Sequence, residues 1–185
     1  MKTRDRLLDS VGRVLMIDEA YALAEPNSSA NSYKRDAVNE IVNFLDHESY
    51  RKTTCVIFSG YEHDMDELYR MNDGLKSRIK EVYFEDFTLE QSMEILKSVL
   101  RADEISLSGE AEAICAEQLE QMRECTEYAN GRTIRRYSEL LCSMLEQRCI
   151  QNAAEYSEDD PRAYEIQVED VPELPTVLEK LNICD

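Results

Sequence analysis

Residues Gly12–Tyr21, G-R-V-L-M-I-D-E-A-Y, decide how the rest of the chain is read. Four apolar residues, Val14, Leu15, Met16 and Ile17, run without interruption into two carboxylates, Asp18 and Glu19. A short, wholly apolar run fits a strand buried on both faces, as in a parallel sheet held between helices. In open α/β sheets, ligands gather beyond the carboxyl ends of the strands, where Asp18 and Glu19 fall. An acidic pair there suits a magnesium-bound phosphate. One carboxylate holds the ion, directly or through water, and the other orients or deprotonates an attacking water. On the pair alone, two exposed acids in a strand-to-loop turn explain the residues equally well.

Outward from this run, Leu7, Leu8 and Val11 share one side of a helix that Gly12 breaks. Downstream, residues 24–33 form a polar loop rich in turn formers. Ala37, Val38, Ile41, Val42 and Leu45 then have the spacing of one helical face, and Cys55–Phe58 is a second short apolar run. Two such strands joined by a helix predict a βαβ unit with a right-handed crossover. A further helix, with Asp64 and Glu67 spaced as a cap, carries Met65, Leu68 and Met71 and turns at Asn72-Asp73-Gly74. Val82-Tyr83-Phe84 reads as a third strand. From Asp86 the pattern is wholly helical. Thr88 with Gln91 makes a capping box, Ser108 caps a second helix, and a third follows Asn130-Gly131 with Ile134, Tyr137, Leu141 and Leu145 on its buried face. The end, from about Tyr156, is acidic and punctuated by Pro161, Pro172 and Pro175, with Tyr164, Ile166 and Val168 alternating as in a short extended segment. The predicted organisation is an α/β part over 1–86, a helical bundle over 87–155 and an acidic tail over 156–185.

Lysine and arginine number 21 against 39 aspartates and glutamates, a net charge of −18. No basic block is longer than Arg135–Arg136, so the chain lacks the patch that displaces phosphate counterions, and direct binding of nucleic acid is disfavoured. No apolar run approaches the ~20 residues of a membrane span, and the charged start (Lys2, Arg4, Asp5, Arg6) has no signal core. The six cysteines, 55, 115, 125, 142, 149 and 184, form no C-x-x-C pair, and only His47 and His63 could supplement them. They read as reduced, buried thiols of an intracellular protein rather than as a metal site.

The segments V-L-M-I-D-E-A-Y-A-L (14–23), N-F-L-D-H-E (43–48), V-I-F-S-G-Y-E-H-D-M (56–65), N-D-G-L-K-S-R-I (72–79) and N-G-R-T-I-R (130–135) follow one another in a set order and spacing. In these the chain resembles the CbbX-type AAA+ proteins, the group of red-type rubisco activase, sporulation protein K and a type VII secretion ATPase subunit. The resemblance covers roughly Lys2–Ile150. It implies part of a parallel-sheet P-loop NTPase domain followed by a small all-α lid. It also implies ATP hydrolysis, with magnesium, coupled to remodelling of a protein client in a homo-oligomeric ring, a hexamer, in the cytoplasm or a plastid. In such a ring the loop 24–33 could face the central channel. By the resemblance, Asp18 holds magnesium and Glu19 positions the hydrolytic water, the pair forming the Walker B motif. Arg78 is the arginine finger offered to a neighbour's ATP. Ser59 takes the sensor 1 position, where many AAA+ proteins carry asparagine or threonine. Arg132 matches the sensor 2 arginine of the lid, with Arg135 one turn further on as the alternative. Outside the resemblance, Arg78 reads as an ion-pair partner of Glu81, and Arg132 and Arg135 as partners of bundle acids. Asp73 stands where the family turn often has proline, which Gly74 makes tolerable.

No G-x-x-x-x-G-K-[ST] occurs, and the five glycines (12, 60, 74, 109 and 131) stand singly. That loop cradles the β- and γ-phosphates and, in the family, lies several tens of residues before the D-E pair, hence ahead of Met1. Two functional readings follow. The chain is the C-terminal part and lid of an AAA+ ATPase, or it is a non-catalytic interaction subunit that has lost nucleotide binding and still offers Arg78 to a neighbour. A DNA-clamp-loader subunit shares the fold but fits the charge poorly. Either favoured reading expects weak nucleotide binding and marginal stability of these residues alone.

Overall fold

The apolar run ahead of Asp18 forms a strand in the computed structural model, which describes residues 2–24, 31–153, 156 and 160–184. The chain divides at Tyr83/Phe84 into two units. In the first, α1 (Lys2–Asp9) ends ahead of Gly12, whose φ of 78° suits a residue without a side chain, and β1 (Val14–Ile17) follows. A 3₁₀ turn over Ala20–Leu23 leads on, and most of the polar loop lies outside the described residues. The crossover helix α2 (Asn31–Asp46) and the short α3 (Glu48–Arg51) return the chain to β2 (Cys55–Phe58). The two strands pair in parallel, from Val14↔Cys55 to Ile17↔Phe58, so the expected βαβ unit is present. Next come α4 (Glu62–Met71) and α5 (Asp73–Lys76). Leu7, Val38, Ile41, Phe44, Met65, Leu68 and Leu75 form the buried core, with Leu15, Ile17, Val56 and Phe58 packed on it.

Three expectations need correction here. The strands are buried on one face only. Val14 and Met16 are 65% and 60% exposed and pair with exposed Cys55 and Ile57, because alternate side chains point away from the face that the core covers. Val82-Tyr83-Phe84 is not a strand. It has no ladder partner among the described residues, and Phe84 is 94% exposed. An apolar run makes a strand only where an edge is in register to receive it. Finally, α4 starts at Glu62, with Tyr61 in the cap position, ahead of the proposed cap at Asp64.

The second unit begins with α6 (Leu89–Ala102), closed by the expected Thr88–Gln91 capping box. Then come β3 (Ser106–Leu107), α7 (Gly109–Arg123) capped by Ser108, α8 (Gly131–Gln151), β4 (Glu165–Ile166) and α9 (Leu174–Leu181). The predicted three-helix bundle is thus α6, α7 and α8. A two-residue parallel ladder, β3–β4, brings the end of the chain back to it. Ile166, Val177, Leu181 and Ile183 are buried in the same core as Leu96, Leu119, Ile134 and Leu141. The described part of 156–185, read from the sequence as an acidic tail, therefore packs into the bundle. Arg148 of α8 and Asp170, both buried, are paired at 2.8 Å. A disulfide joins Cys125 to Cys184, which corrects the reading of six reduced cysteines. No helix among the described residues is long and apolar enough to cross a membrane.

Candidate functional site

At the carboxyl ends of β1 and β2 the structure brings three of the expected residues together: Asp18, Glu19 and Ser59. The ladder continues one step past the strands, Ser59 N–H donating to the Ile17 carbonyl (3.0 Å) and Ala20 N–H to the Ser59 carbonyl (2.9 Å). This places the Ser59 hydroxyl against Asp18, and its Oγ donates to Asp18 Oδ1 at 2.6 Å. The Glu19 backbone N–H donates to the same oxygen at 3.1 Å. Oδ1 is thereby fixed from two sides, and these bonds leave Oδ2 free.

Glu19 has φ 49° and ψ 47°, the left-handed region that a residue with a side chain rarely occupies. The chain must turn there because Ala20, 1% exposed, drops into the core directly after the strand. The Glu19 side chain is exposed and makes no hydrogen bond or ion pair among the described residues. Tyr21 and Met65 close over Gly60, where an added Cβ would stand 2.9 Å from each, so a larger residue would have to push these side chains aside. Burial, reinforced by the Glu19 charge, pushes the Tyr21 phenol above its ordinary pKa. Among the described residues no cluster of three or more His, Cys, Asp or Glu could hold a metal. One anchored carboxylate with a second beside it still fits magnesium, a hard cation that takes one or two carboxylates and completes its shell with water and phosphate oxygens.

Arg78 lies elsewhere. A βαβ crossover helix runs back along its strands, so α2 starts near the site, where Lys34 Nζ donates to the Ala22 carbonyl (3.0 Å), and ends at the amino ends of the strands. Sixteen residues at 1.5 Å each make α2 about 24 Å long. Arg78 sits at its far end. Nε and Nη2 donate to Asp46 Oδ1 (2.6 Å) and Oδ2 (2.7 Å), and Nη1 donates to the Gly74 carbonyl (2.6 Å) and Ser77 Oγ (3.1 Å). The hydrogen bonds hold the Asp46 carboxyl below its ordinary pKa and the guanidinium above its own. Asn72 fixes the turn, its Oδ1 accepting from Gly74 N–H while its Nδ2 donates to Asn39, both at 2.9 Å. Glu81, the alternative partner, instead accepts from the Tyr83 hydroxyl at 3.3 Å.

Arg132 and Arg135 belong to the second unit, in the first turns of α8. Both are exposed, and neither side chain makes a hydrogen bond or ion pair among the described residues, so the bundle acids do not hold them. A cation in the first turn opposes the helix dipole, whereas a bound phosphate would complement that turn. The start of α8 is fixed by Asn130, at φ 48° and ψ −123°. Its side chain accepts from Phe87 N–H (3.0 Å) and donates to Asp86 Oδ1 (2.7 Å). Asp46 and Asn130 escape sequence reasoning. Asp46 lies within one of the matched segments, yet nothing local links it to an arginine 32 positions on.

Two parallel strands ending in Asp-Glu and Ser, followed by a helical unit that the AAA lid domain family matches over residues 88–179, define an AAA+ protein. The chain belongs to the AAA+ ATPase family. It is 33% identical over 135 residues to the Protein CfxQ homolog of Trieres chinensis and to the ribulose bisphosphate carboxylase/oxygenase activase, chloroplastic, of Cyanidioschyzon merolae, covering 72% of this chain and 45% of each relative. It is likewise 33% identical over 138 residues to stage V sporulation protein K of Bacillus subtilis, covering 72% of this chain and 42% of that protein. The match thus spans less than half the length of these relatives.

Proposed function

We propose that this chain carries the hydrolysis residues and the lid of an ATP-driven protein remodeller working as a ring of like subunits. The observation that carries the reading is the anchored Asp18, held by Ser59 and the Glu19 N–H at the ends of adjacent parallel strands, beside an unpaired Glu19 side chain. Asp18 would hold the magnesium ion, with Ser59 keeping its carboxylate from rotating. Bound there with ATP, magnesium would draw off charge from the phosphates. Glu19, held by its backbone rather than by side-chain partners, orients or deprotonates the attacking water. Arg132, with Arg135 as the alternative, contacts the phosphates from the lid. Arg78, at the far end of α2, serves a neighbouring subunit, which supports a ring. The chloroplastic activase among the relatives supports a protein client and leaves a plastid location open beside the cytoplasm.

The test is ATP hydrolysis by the full-length protein. Glu19→Gln should retain ATP and lose hydrolysis by a factor of about 10² or more. Arg78→Ala should abolish hydrolysis in the ring, and mixing the two variants should restore part of it. Normal turnover by Glu19→Gln refutes the reading. A second reading is a non-catalytic interaction subunit that has lost nucleotide binding and still offers Arg78 to a neighbour. It expects no hydrolysis by the protein itself and an Arg78-dependent change in the rate of a relative that carries the loop.

A further inference from the structure

A guanidinium that serves a neighbour's phosphate must offer its positive charge and a pair of N–H groups. Arg78 has neither free. Of its five N–H groups, Nε and one on Nη2 go to Asp46, and the two on Nη1 go to the Gly74 carbonyl and Ser77 Oγ. A single Nη2 N–H remains. The edge taken by Asp46 is the fork that a phosphate would use, because two oxygens of a carboxylate and two of a phosphate fit it alike. A carboxylate at 2.6 and 2.7 Å also neutralises the charge that the transferred phosphoryl group needs. Both partners are open to an incoming ligand, their side chains 32% and 51% exposed.

We propose that Asp46 is a latch on Arg78: its carboxylate occupies the arginine fork in the free subunit, and the phosphate of a nucleotide bound to the neighbouring subunit must displace it. This rests on the reading of Arg78 as the residue that acts across the subunit boundary. The competition is between two anions for one cation, so an empty neighbouring site leaves Arg78 parked and a filled one draws it out. Gly74 and Ser77 hold Nη1 in both positions, which limits the movement to swinging the Nε/Nη2 edge off Asp46. An exposed ion pair is a weak brake, so the effect on turnover should be severalfold and not orders of magnitude.

The experiment measures kcat and KM for ATP in the full-length assembly with Asp46→Asn, Arg78→Ala and the two combined. Asp46→Asn keeps one acceptor oxygen and removes the charge. It should raise kcat about two- to fivefold with KM for ATP unchanged, since the subunit's own nucleotide site lies at the other end of the strands. The combined variant should match Arg78→Ala alone. Added salt should raise the wild-type kcat and leave that of Asp46→Asn unmoved. If Asp46→Asn is slower than wild type, Asp46 orients Arg78 for work and the latch is overturned while the reading of Arg78 stands. Unchanged turnover marks a structural ion pair and also overturns it. If Arg78→Ala hydrolyses normally, the reading of Arg78 fails first and the latch falls with it. Should Asp46→Asn melt early, Asp46→Ser in the same assay carries the same expectations.

Discussion

Replacing Arg148 by methionine removes a guanidinium that holds the end of the chain to α8. Its Nε donates to both oxygens of Asp170 (2.8 and 3.0 Å), and its Nη groups donate to the Tyr156 hydroxyl (2.8 Å) and to the carbonyls of Arg162 (2.9 Å) and Glu165 (2.8 Å). The side chains of Arg148 and Asp170 are 8% and 1% exposed, so water cannot take over when one partner is lost. Among the described residues the Asp170 carboxylate would keep only the Gln167 N–H at 2.9 Å. Breaking a buried pair from one side costs about 3–5 kcal/mol. For a domain of this size, each kcal/mol moves the melting temperature by roughly 4–8 °C, so the second unit should melt at least about 12 °C lower. Far-UV circular dichroism during thermal and urea unfolding reads the loss. Hydrogen exchange locates it: the amides of Ser106 and Ser108, which donate to the Tyr164 and Ile166 carbonyls, should lose protection. Arg148→Met with Asp170→Leu should recover part of the loss, because neither charge is then stranded. A loss below about 1 kcal/mol, with both amides still protected, would refute the reasoning.

Three further outcomes follow from the geometry. Glu19→Gly should be more stable than Glu19→Ala by about 1 kcal/mol in urea unfolding, since both remove the side chain and only glycine relieves the positive φ. Reducing the Cys125–Cys184 bond, which closes a separation of 59 residues, should cost the second unit about 2–4 kcal/mol, read as a lower urea midpoint with dithiothreitol and reproduced without it by Cys125→Ser with Cys184→Ser. Burial pushes the Tyr137 hydroxyl and the Cys115 thiol above their ordinary pKa values. The unfolded chain therefore releases these protons first as pH rises. The stability they contribute is complete below the unfolded values, near 8.5 for cysteine and 10 for tyrosine, and falls above them by at most about 1.4 kcal/mol per pH unit per group. Tyr137→Phe should flatten the tyrosine part of that slope in melts between pH 9 and 11.

What the sequence makes legible is local. The two short apolar runs, the Thr88–Gln91 box, the Ser108 cap and the buried stripe of α8 each depend on residues within a turn or two of each other, and each is present. What it hides depends on distance along the chain. Ser59 meets Asp18 across 41 positions, and only the family resemblance pointed to it. Arg78 meets Asp46 across 32, and no periodicity links them. The disulfide spans 59, so its cysteines look unrelated. The stretch Leu174–Leu181 reads as punctuation because of Pro175. Proline costs little in the first turn of a helix, where its missing N–H would have had no partner, and α9 begins there. Val82-Tyr83-Phe84 errs the other way, since composition alone cannot supply a neighbouring strand.

Backbone strain separates the candidate site from ordinary surface. Among the described residues, Glu19, Glu104, Asn130 and Asn182 have side chains and positive φ. Two of them need no functional account. Asn182 is the C-cap of α9 in the left-handed conformation, and Glu104 directly follows the C-cap of α6, positions where helices commonly end this way. Glu19 and Asn130 end no helix. Glu19 follows a strand, and Asn130 precedes α8 with ψ −123°, outside the small left-handed region that asparagine tolerates. Strain of about 1–3 kcal/mol at each persists only where its surroundings enforce it. At Glu19 the enforcing contacts are the Asp18 and Ser59 bonds and the buried Ala20; at Asn130 they are the bonds to Asp86 and Phe87. One strained residue thus sets the direction of the proposed water-activating carboxylate. The other sets the start of the helix that presents Arg132, so the sites where the fold accepts strain are those where the proposed chemistry needs a fixed direction.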